Sequence, residues 1–249
     1  MEDMEVAPDE FRPTAYWEGY VKRIYARLQR VGLEGFRSDW EIMKGHGATD
    51  PMMPDPYGSR SLKIRSLMLL SKTPVFRQIS AFYLKKVMAE HNLRKNVHEQ
   101  LVFAITHLLA SDTEIRNQLD RIQESSAGLP EVPTSDSDCY TLDFLLHFAQ
   151  LQVLNSTLNV LQMRSVLEIG GGHGKFAEIF MKLATDPDRT YCLIDIPPVL
   201  YLATEYLRSV FPERVIDYDQ AVKMDRITEE DIRGKILAIL TCPPKTRPG

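Results

Sequence analysis

Apolar residues recur every three or four positions through most of the first 125 residues, which is the spacing of amphipathic helices. The first such run extends from Trp17 to Val31, and further runs cover residues 75–87, 101–109 and 113–122. A stretch rich in proline and glycine at 45–59 predicts a loop. Residues 125–138 hold two prolines, one glycine and four serines without periodicity, and are typical of a linker. We therefore predict a helical N-terminal region over 1–138, with the linker at 125–138.

The pattern changes in the second half of the chain. A long amphipathic helix is predicted over 142–163, followed by two short apolar runs at Ser165–Ile169 and Thr190–Ile196. Each run is too short for a helix and precedes a helical pattern, so each is predicted to be a buried strand. A further strand is expected at Lys235–Thr241 and an extra short one at Val215–Tyr218. This order predicts an α/β fold with a parallel sheet and right-handed crossovers.

Composition narrows the classes of partner. The net charge of −4 gives no basic stripe for nucleic acid. No apolar run approaches the length of a membrane span, and the acidic N-terminus is unlike a signal peptide, so we expect a cytoplasmic protein with no membrane partner. The three cysteines, an odd number far apart in the sequence, indicate neither a disulfide framework nor a metal site; they are Cys139, Cys192 and Cys242.

A glycine-rich turn lies between the first predicted strand and the helix that follows it. Several glycines at such a turn allow positive φ and let a ligand approach the main chain closely. A dinucleotide-binding turn needs G-x-G-x-x-G. If the motif starts at Gly170, the position of its last glycine is occupied by Lys175. If it starts at Gly172, that position is occupied by Ala177; alanine is permitted there, but the strand before the turn would be two residues too long. Glu168 would repel a pyrophosphate and suits the cationic cofactor S-adenosylmethionine, so an oxidoreductase is a distant alternative.

A second carboxylate follows the next predicted strand. Asp195 stands where a carboxylate can accept hydrogen bonds from both hydroxyls of a ribose. Dinucleotide enzymes use an acid in the same way, so Asp195 supports a ribose without choosing between the cofactors. The predicted cofactor-binding residues are Glu168, Gly170, Gly171, Gly172, His173, Gly174, Asp195 and Ile196.

These segments resemble class I S-adenosylmethionine-dependent methyltransferases, whose first motif is an acidic residue followed by G-x-G-x-G. Within that superfamily the chain is most similar to the sugar O-methyltransferase family, over Val166–Ala177, Tyr191–Leu200 and the helical segment Gly32–Trp40. The resemblance implies S-adenosyl-L-methionine as cofactor, a sugar or glycoside as small-molecule acceptor, and displacement of the sulfonium methyl by a sugar hydroxyl.

The resemblance also implies a seven-stranded Rossmann-like sheet, of which strands 1 to 3 are predicted here, over a partial domain at 139–249. Strand 1 would then be an edge strand with unpaired backbone groups. Two functions are therefore expected in parallel. One is S-adenosylmethionine-dependent O-methyl transfer in truncated form; the other is a non-catalytic cofactor-binding or interaction module. The exposed edge favours self-association.

Some side chains allow two interpretations. His173 and His147 are candidates for the base that takes the acceptor proton, but packing or helix capping is favoured for both, and no catalytic residue is assigned. The aromatic run formed by Tyr16, Trp17, Tyr20 and Tyr25 is either a sugar-stacking platform or, as its helical spacing favours, part of the core.

Overall fold

The computed structural model describes residues 14–45, 77–130 and 140–240. The first part is helical and comprises α1 (Ala15–Val31), α2 (Trp40–Gly45), α3 (Arg77–Ala110) and α4 (Thr113–Asp120), with a 3-10 turn at Phe36–Ser38. The apolar runs near residues 80 and 105 belong to a single helix, α3. Residues 46–59 of the predicted loop and residues 131–138 of the predicted linker lie outside the described residues, as do Cys139 and Cys242.

The second part alternates helices and strands. Its elements are α5 (Leu142–Leu158), β1 (Ser165–Ile169), α6 (Lys175–Lys182), β2 (Thr190–Asp195), α7 (Pro197–Val210), β3 (Val215–Ile216), α8 (Tyr218–Ala221), α9 (Glu229–Ile232) and β4 (Ile236–Leu240). The prediction that the long helix reaches residue 163 is wrong. Asn159 adopts the left-handed conformation at φ 56°, which ends α5, and a 3-10 turn follows.

The four strands form one parallel sheet in the order β1-β2-β4-β3, which confirms the α/β prediction at the level of fold class. The steps β1–α6–β2 and β2–α7–β3 cross the sheet in the same direction, so right-handed crossovers place α6 and α7 on one face. The chain then turns back to insert β4 between β2 and β3. For the same reason of handedness, the connection carrying α8 and α9 lies on the opposite face.

The two faces of the sheet are unequally covered. The helical face belongs to a continuous hydrophobic core that joins N-terminal residues such as Ile24 and Phe36 to strand residues such as Tyr191 and Leu193. A smaller cluster around Leu237 covers the β4 end of the opposite face. No helix within the described ranges is long and apolar enough to cross a membrane.

Strand β1 lies at the edge of the sheet formed by the described strands, as the sequence predicts. Leu167 and Ile169 project from it onto the less covered face and are 61% and 74% exposed. Alternate residues of a parallel strand bond to the same neighbour. Because Arg164 and Gly170 bond to β2, the backbone groups of Ser165, Leu167 and Ile169 point to the outer edge. Strand β1 thus presents both apolar side chains and unpaired backbone groups.

A buried ionic cluster fastens the N-terminal helices to the sheet half. We call it the Lys175 cluster; it consists of Arg37, Glu124, Lys175, Glu178 and Tyr206. The Lys175 ammonium donates to Glu124 Oε1 at 3.1 Å, to Glu178 Oε2 at 2.8 Å and to the Tyr206 hydroxyl, while Arg37 pairs with Glu124. The four charged side chains are at most 2% exposed. Two cations and two carboxylates therefore balance inside the core.

The Glu178 carboxylate of this cluster is held in its charged form. Burial alone would raise the pKa of Glu178, but the ammonium groups of Lys175 and Lys182 outweigh it and lower that pKa to about 2. The backbone amide of Ser125 also donates to Glu178, at 2.8 Å. The segment after α4 is thereby attached directly to α6.

Replacing Glu124 by alanine is expected to reduce the free energy of unfolding by about 3–5 kcal/mol, because it leaves Arg37 and Lys175 buried with one partner fewer. Denaturant unfolding followed by circular dichroism measures the change. The matched control is Asp120→Ala, which removes an exposed ion pair to Arg116 and should cost less than about 1 kcal/mol. Equal, small effects of the two substitutions would contradict a structural role for the cluster.

Candidate functional site

The turn between β1 and α6 depends on glycine conformations. Gly170, Gly172 and Gly174 have φ values of 77°, 59° and 87°, in the left-handed region that other residues enter only with strain. The amide of Gly170 donates to the Ile194 carbonyl at 2.8 Å and so ties the start of the turn to β2. Gly174 is the residue from which α6 begins. The glycine pattern thus follows from the path that the chain must take.

Space around the turn separates its glycines into two kinds. A Cβ on Gly171 would lie 2.1 Å from Leu193 Cδ1 and 2.4 Å from Glu168 Oε2, and one on Gly174 would lie 2.8 Å from a Leu207 methyl carbon. A Cβ on Gly170 would meet nothing within 4 Å. Gly171 and Gly174 are therefore required by packing inside the protein, whereas Gly170 borders open space.

Glu168 stands on the helical face of β1, next to the turn. The Tyr191 hydroxyl donates to its Oε2 at 2.7 Å. Burial raises the pKa of this carboxyl, and the Tyr191 hydrogen bond and attraction from His147 offset only part of that rise.

Asp195 closes the site from the end of β2. Its Oδ2 accepts the Gly172 amide at 3.0 Å and its Oδ1 accepts the Ile196 amide at 2.7 Å. Burial, reinforced by the nearby negative charge of Glu168, raises the pKa of Asp195 to about 6 even though the two amide bonds lower it. A carboxylate offers about four lone-pair sites, so each oxygen retains capacity for another donor.

The structure therefore brings most of the predicted residues to one place, the carboxyl ends of β1 and β2. In open parallel sheets, ligands bind outside these ends. Two desolvated carboxylates that repel each other favour a partner that brings positive charge or hydroxyl donors. Together with the glycine turn, such a pair suits a ligand that brings an ammonium group and ribose hydroxyls. The pair does not fit a pyrophosphate.

The side chain of His173 is placed differently from the rest of the turn. Its ring is 3% exposed and packs edge-on against Phe36 and Tyr206, at centroid distances of 5.7 and 5.4 Å. Its Nε2 lies 3.6 Å from Asp143 Oδ2. The imidazole thus belongs to the helical layer, where it cannot reach an acceptor hydroxyl, and only the His173 backbone contributes to the turn.

The second histidine candidate, His147, lies on α5. Its Nδ1 donates to the Asp143 carbonyl at 2.8 Å, and its side chain is 29% exposed. A positive charge on this ring lowers the pKa of Glu168. The structure assigns His147 this electrostatic role and gives no contact that would mark it as a base.

Two partners of the site do not emerge from the motif alone. Tyr191 holds the Glu168 carboxylate, and strand alternation is the signal that could have found it, because the register puts both side chains on one face of the sheet. The second partner is Lys175, the residue directly after the turn, whose side chain anchors the start of α6. Its charge gave no indication of burial.

No family model, curated protein or solved structure matches the chain. Among the residues that the structure describes, no group of three histidine, cysteine or acidic side chains is placed to hold a metal ion.

The two kinds of glycine predict different responses to alanine. Gly171→Ala should lower the free energy of unfolding by about 2–3 kcal/mol, because the new methyl group must displace the buried Leu193 side chain and the Glu168 carboxylate. Gly170→Ala should cost only the backbone strain, about 1 kcal/mol. Thermal and denaturant unfolding measure both changes. A larger loss for Gly170→Ala than for Gly171→Ala would contradict the packing described for the turn.

Proposed function

We propose that this chain binds S-adenosylmethionine and is an S-adenosylmethionine-dependent O-methyltransferase acting on a sugar hydroxyl. The observation that carries the proposal is the pair of desolvated carboxylates, Glu168 and Asp195, at the ends of adjacent strands beside a glycine turn. The resemblance in sequence to class I S-adenosylmethionine-dependent methyltransferases supports the same cofactor.

Each residue of the crevice would have a distinct task. Asp195, already oriented by the amides of Gly172 and Ile196, would accept both ribose hydroxyls. Glu168, oriented by Tyr191, would attract the ammonium of the amino-acid end. The open space beside Gly170 would let the ligand approach the main chain. When bound, the cofactor supplies an electrophilic methyl group on a sulfonium.

The protein's contribution to methyl transfer would be proximity and orientation, which supply a large part of the rate of such displacements. We assign no base, since His173 is buried in the helical layer. The sugar acceptor is proposed from the resemblance of Val166–Ala177, Tyr191–Leu200 and Gly32–Trp40 to the sugar O-methyltransferase family. In the structure the last of these segments contains the 3-10 turn whose Phe36 and Arg37 pack against Tyr206.

Calorimetric titration with S-adenosylhomocysteine tests the cofactor site. We expect micromolar binding at about pH 7.5, weakened roughly 10- to 100-fold by Asp195→Asn, which removes the charge that strengthens hydrogen bonds from ribose and replaces one of the two amide acceptors by an NH2 group. Because the ligand prefers the ionised form and the pKa of Asp195 is about 6, the affinity should fall about tenfold as the pH is lowered from about 7 to about 5.

The asparagine variant should lose most of this pH dependence, since its side chain does not titrate. The dinucleotide NAD⁺ serves as the control ligand and should not bind. Binding of NAD⁺ in place of S-adenosylhomocysteine would favour the oxidoreductase alternative. No binding of either ligand by a folded chain would contradict the proposed cofactor site.

A second function, that of a non-catalytic interaction module, is favoured by one specific observation. Leu167 and Ile169 are exposed on β1, beside backbone groups that no described strand pairs. Edges of this kind template pairing with another chain unless charges or coverage block them. We propose that β1 mediates self-association of the chain.

Size-exclusion chromatography with light scattering tests self-association. The chain should elute as a dimer or larger species at micromolar concentration, and Ile169→Lys should shift it towards the monomer because a buried ammonium at the edge opposes pairing. The matched control is Val153→Lys on α5, whose apolar side chain is 68% exposed; it should leave the elution unchanged. A monomeric wild-type chain would contradict this second function.

A further inference from the structure

A groove separate from the glycine turn lies between α1 and α2 on the helical layer. Its volume is about 510 Å³, and it is bordered by α1 residues from Trp17 to Arg30 and by Glu41 and Lys44 of α2. We call it the α1–α2 groove. Its size is within the usual range of small-molecule sites, roughly 300–1,000 Å³.

The apolar part of the groove is aromatic. Trp17 and Tyr20, one helical turn apart, meet edge to face with ring centroids 5.3 Å apart and an interplanar angle of 88°. Tyr20 is 6% exposed and Trp17 is 41% exposed. Tyr20 thus supports an indole ring that is partly exposed. A flat aromatic face of this kind suits the C–H face of a sugar ring, an interaction that needs no charge.

The remainder of the groove is strongly cationic. Arg23, Arg27 and Arg30 follow one another at helical spacing along α1, and Lys44 faces them from α2. Arg27 is held by both carboxylate oxygens of Asp39, at 2.9 and 2.8 Å.

Three other cations border the groove, and one of them, Arg23, donates its Nε to the Gly19 carbonyl at 3.3 Å. Within the described ranges, Arg23, Arg30 and Lys44 form no ion pair, and the groove contains the single carboxylate of Glu41. This excess of positive charge stands out in a chain whose net charge is −4. Guanidinium groups arranged in this way recognise phosphate oxygens.

We infer that the α1–α2 groove binds a phosphorylated sugar, with the phosphate held by Arg23, Arg30 and Lys44 and the sugar ring stacked on Trp17. A neutral sugar would contact only the aromatic part of the groove, and inorganic phosphate would contact only its cations, so a phosphorylated sugar suits both parts. The inference goes beyond the proposed cofactor site, because it concerns the N-terminal helices and holds whether or not the chain binds S-adenosylmethionine.

Direct binding to the full chain tests the inference with four probes: glucose 1-phosphate, UDP-glucose, glucose and inorganic phosphate. Trp17 and Trp40 are the two tryptophans of the sequence, so in a Trp40→Phe background the fluorescence reports on the groove. Glucose 1-phosphate should quench it saturably, with an affinity at least about tenfold higher than that of glucose or phosphate alone. UDP-glucose distinguishes the source of the phosphorylated sugar: tighter binding than that of glucose 1-phosphate indicates a nucleotide sugar, and equal binding a free sugar phosphate.

Matched variants separate a site from general attraction to a cation. Arg23→Gln should weaken binding of glucose 1-phosphate about tenfold, whereas Lys22→Gln, an exposed cation on the same helix outside the groove, should leave it unchanged. Both variants should retain the wild-type melting temperature. Equal loss in the two variants, equal affinity for phosphate and sugar phosphate, or no binding by the folded chain would overturn the inference.

Discussion

The buried ammonium group of Lys175 is the constraint on which the rest of the arrangement depends. An ion in the core is tolerated only where opposite charges and hydrogen bonds surround it, and Glu124, Glu178 and Tyr206 do so here. Glu124 arrives from the segment after α4, so the N-terminal helices must dock on α6 before the charge is satisfied. Because Lys175 directly follows Gly174, fixing its ammonium also fixes the start of α6 and the end of the glycine turn.

The chemistry of the crevice follows from that fixed turn. The Gly172 amide reaches Asp195 only because the turn folds back over the end of β2, and Gly171 leaves room for the Glu168 carboxylate. Burial and mutual repulsion raise the pKa of Asp195, so the folded protein holds a carboxylate pair that a cationic, hydroxyl-bearing ligand would stabilise. The same crossovers that bring these strand ends together cover one face of the sheet, and they leave Leu167 and Ile169 exposed on the other.

Local pattern predicted the elements well and the interior poorly. The short apolar runs gave β1 and β2 almost to the residue, because a buried parallel strand bounded by glycine or proline has few alternatives. The spacing of Ile179 and Phe180 is that of a helix, but it does not indicate that Lys175 and Glu178 of the same helix are buried. The structure buries all four side chains, since the N-terminal helices cover α6, and no periodicity within α6 carries that information. The conformation of Asn159, which ends α5 early, is likewise set by the turn that follows. At the candidate site, spacing predicted that Glu168, the glycines and Asp195 meet at the strand ends. Packing of His173 against Phe36 was not predictable, because Phe36 is distant in sequence.

The most direct test of the central proposal is a crystal structure of the chain grown with S-adenosylhomocysteine at saturating concentration. The account predicts the ligand at the carboxyl ends of β1 and β2, with its ribose hydroxyls on the Asp195 carboxylate, its amino-acid end towards Glu168 and the glycine turn closed against it. A structure with the same turn and the Lys175 cluster intact, but with the ligand absent from this crevice or bound elsewhere, would contradict it.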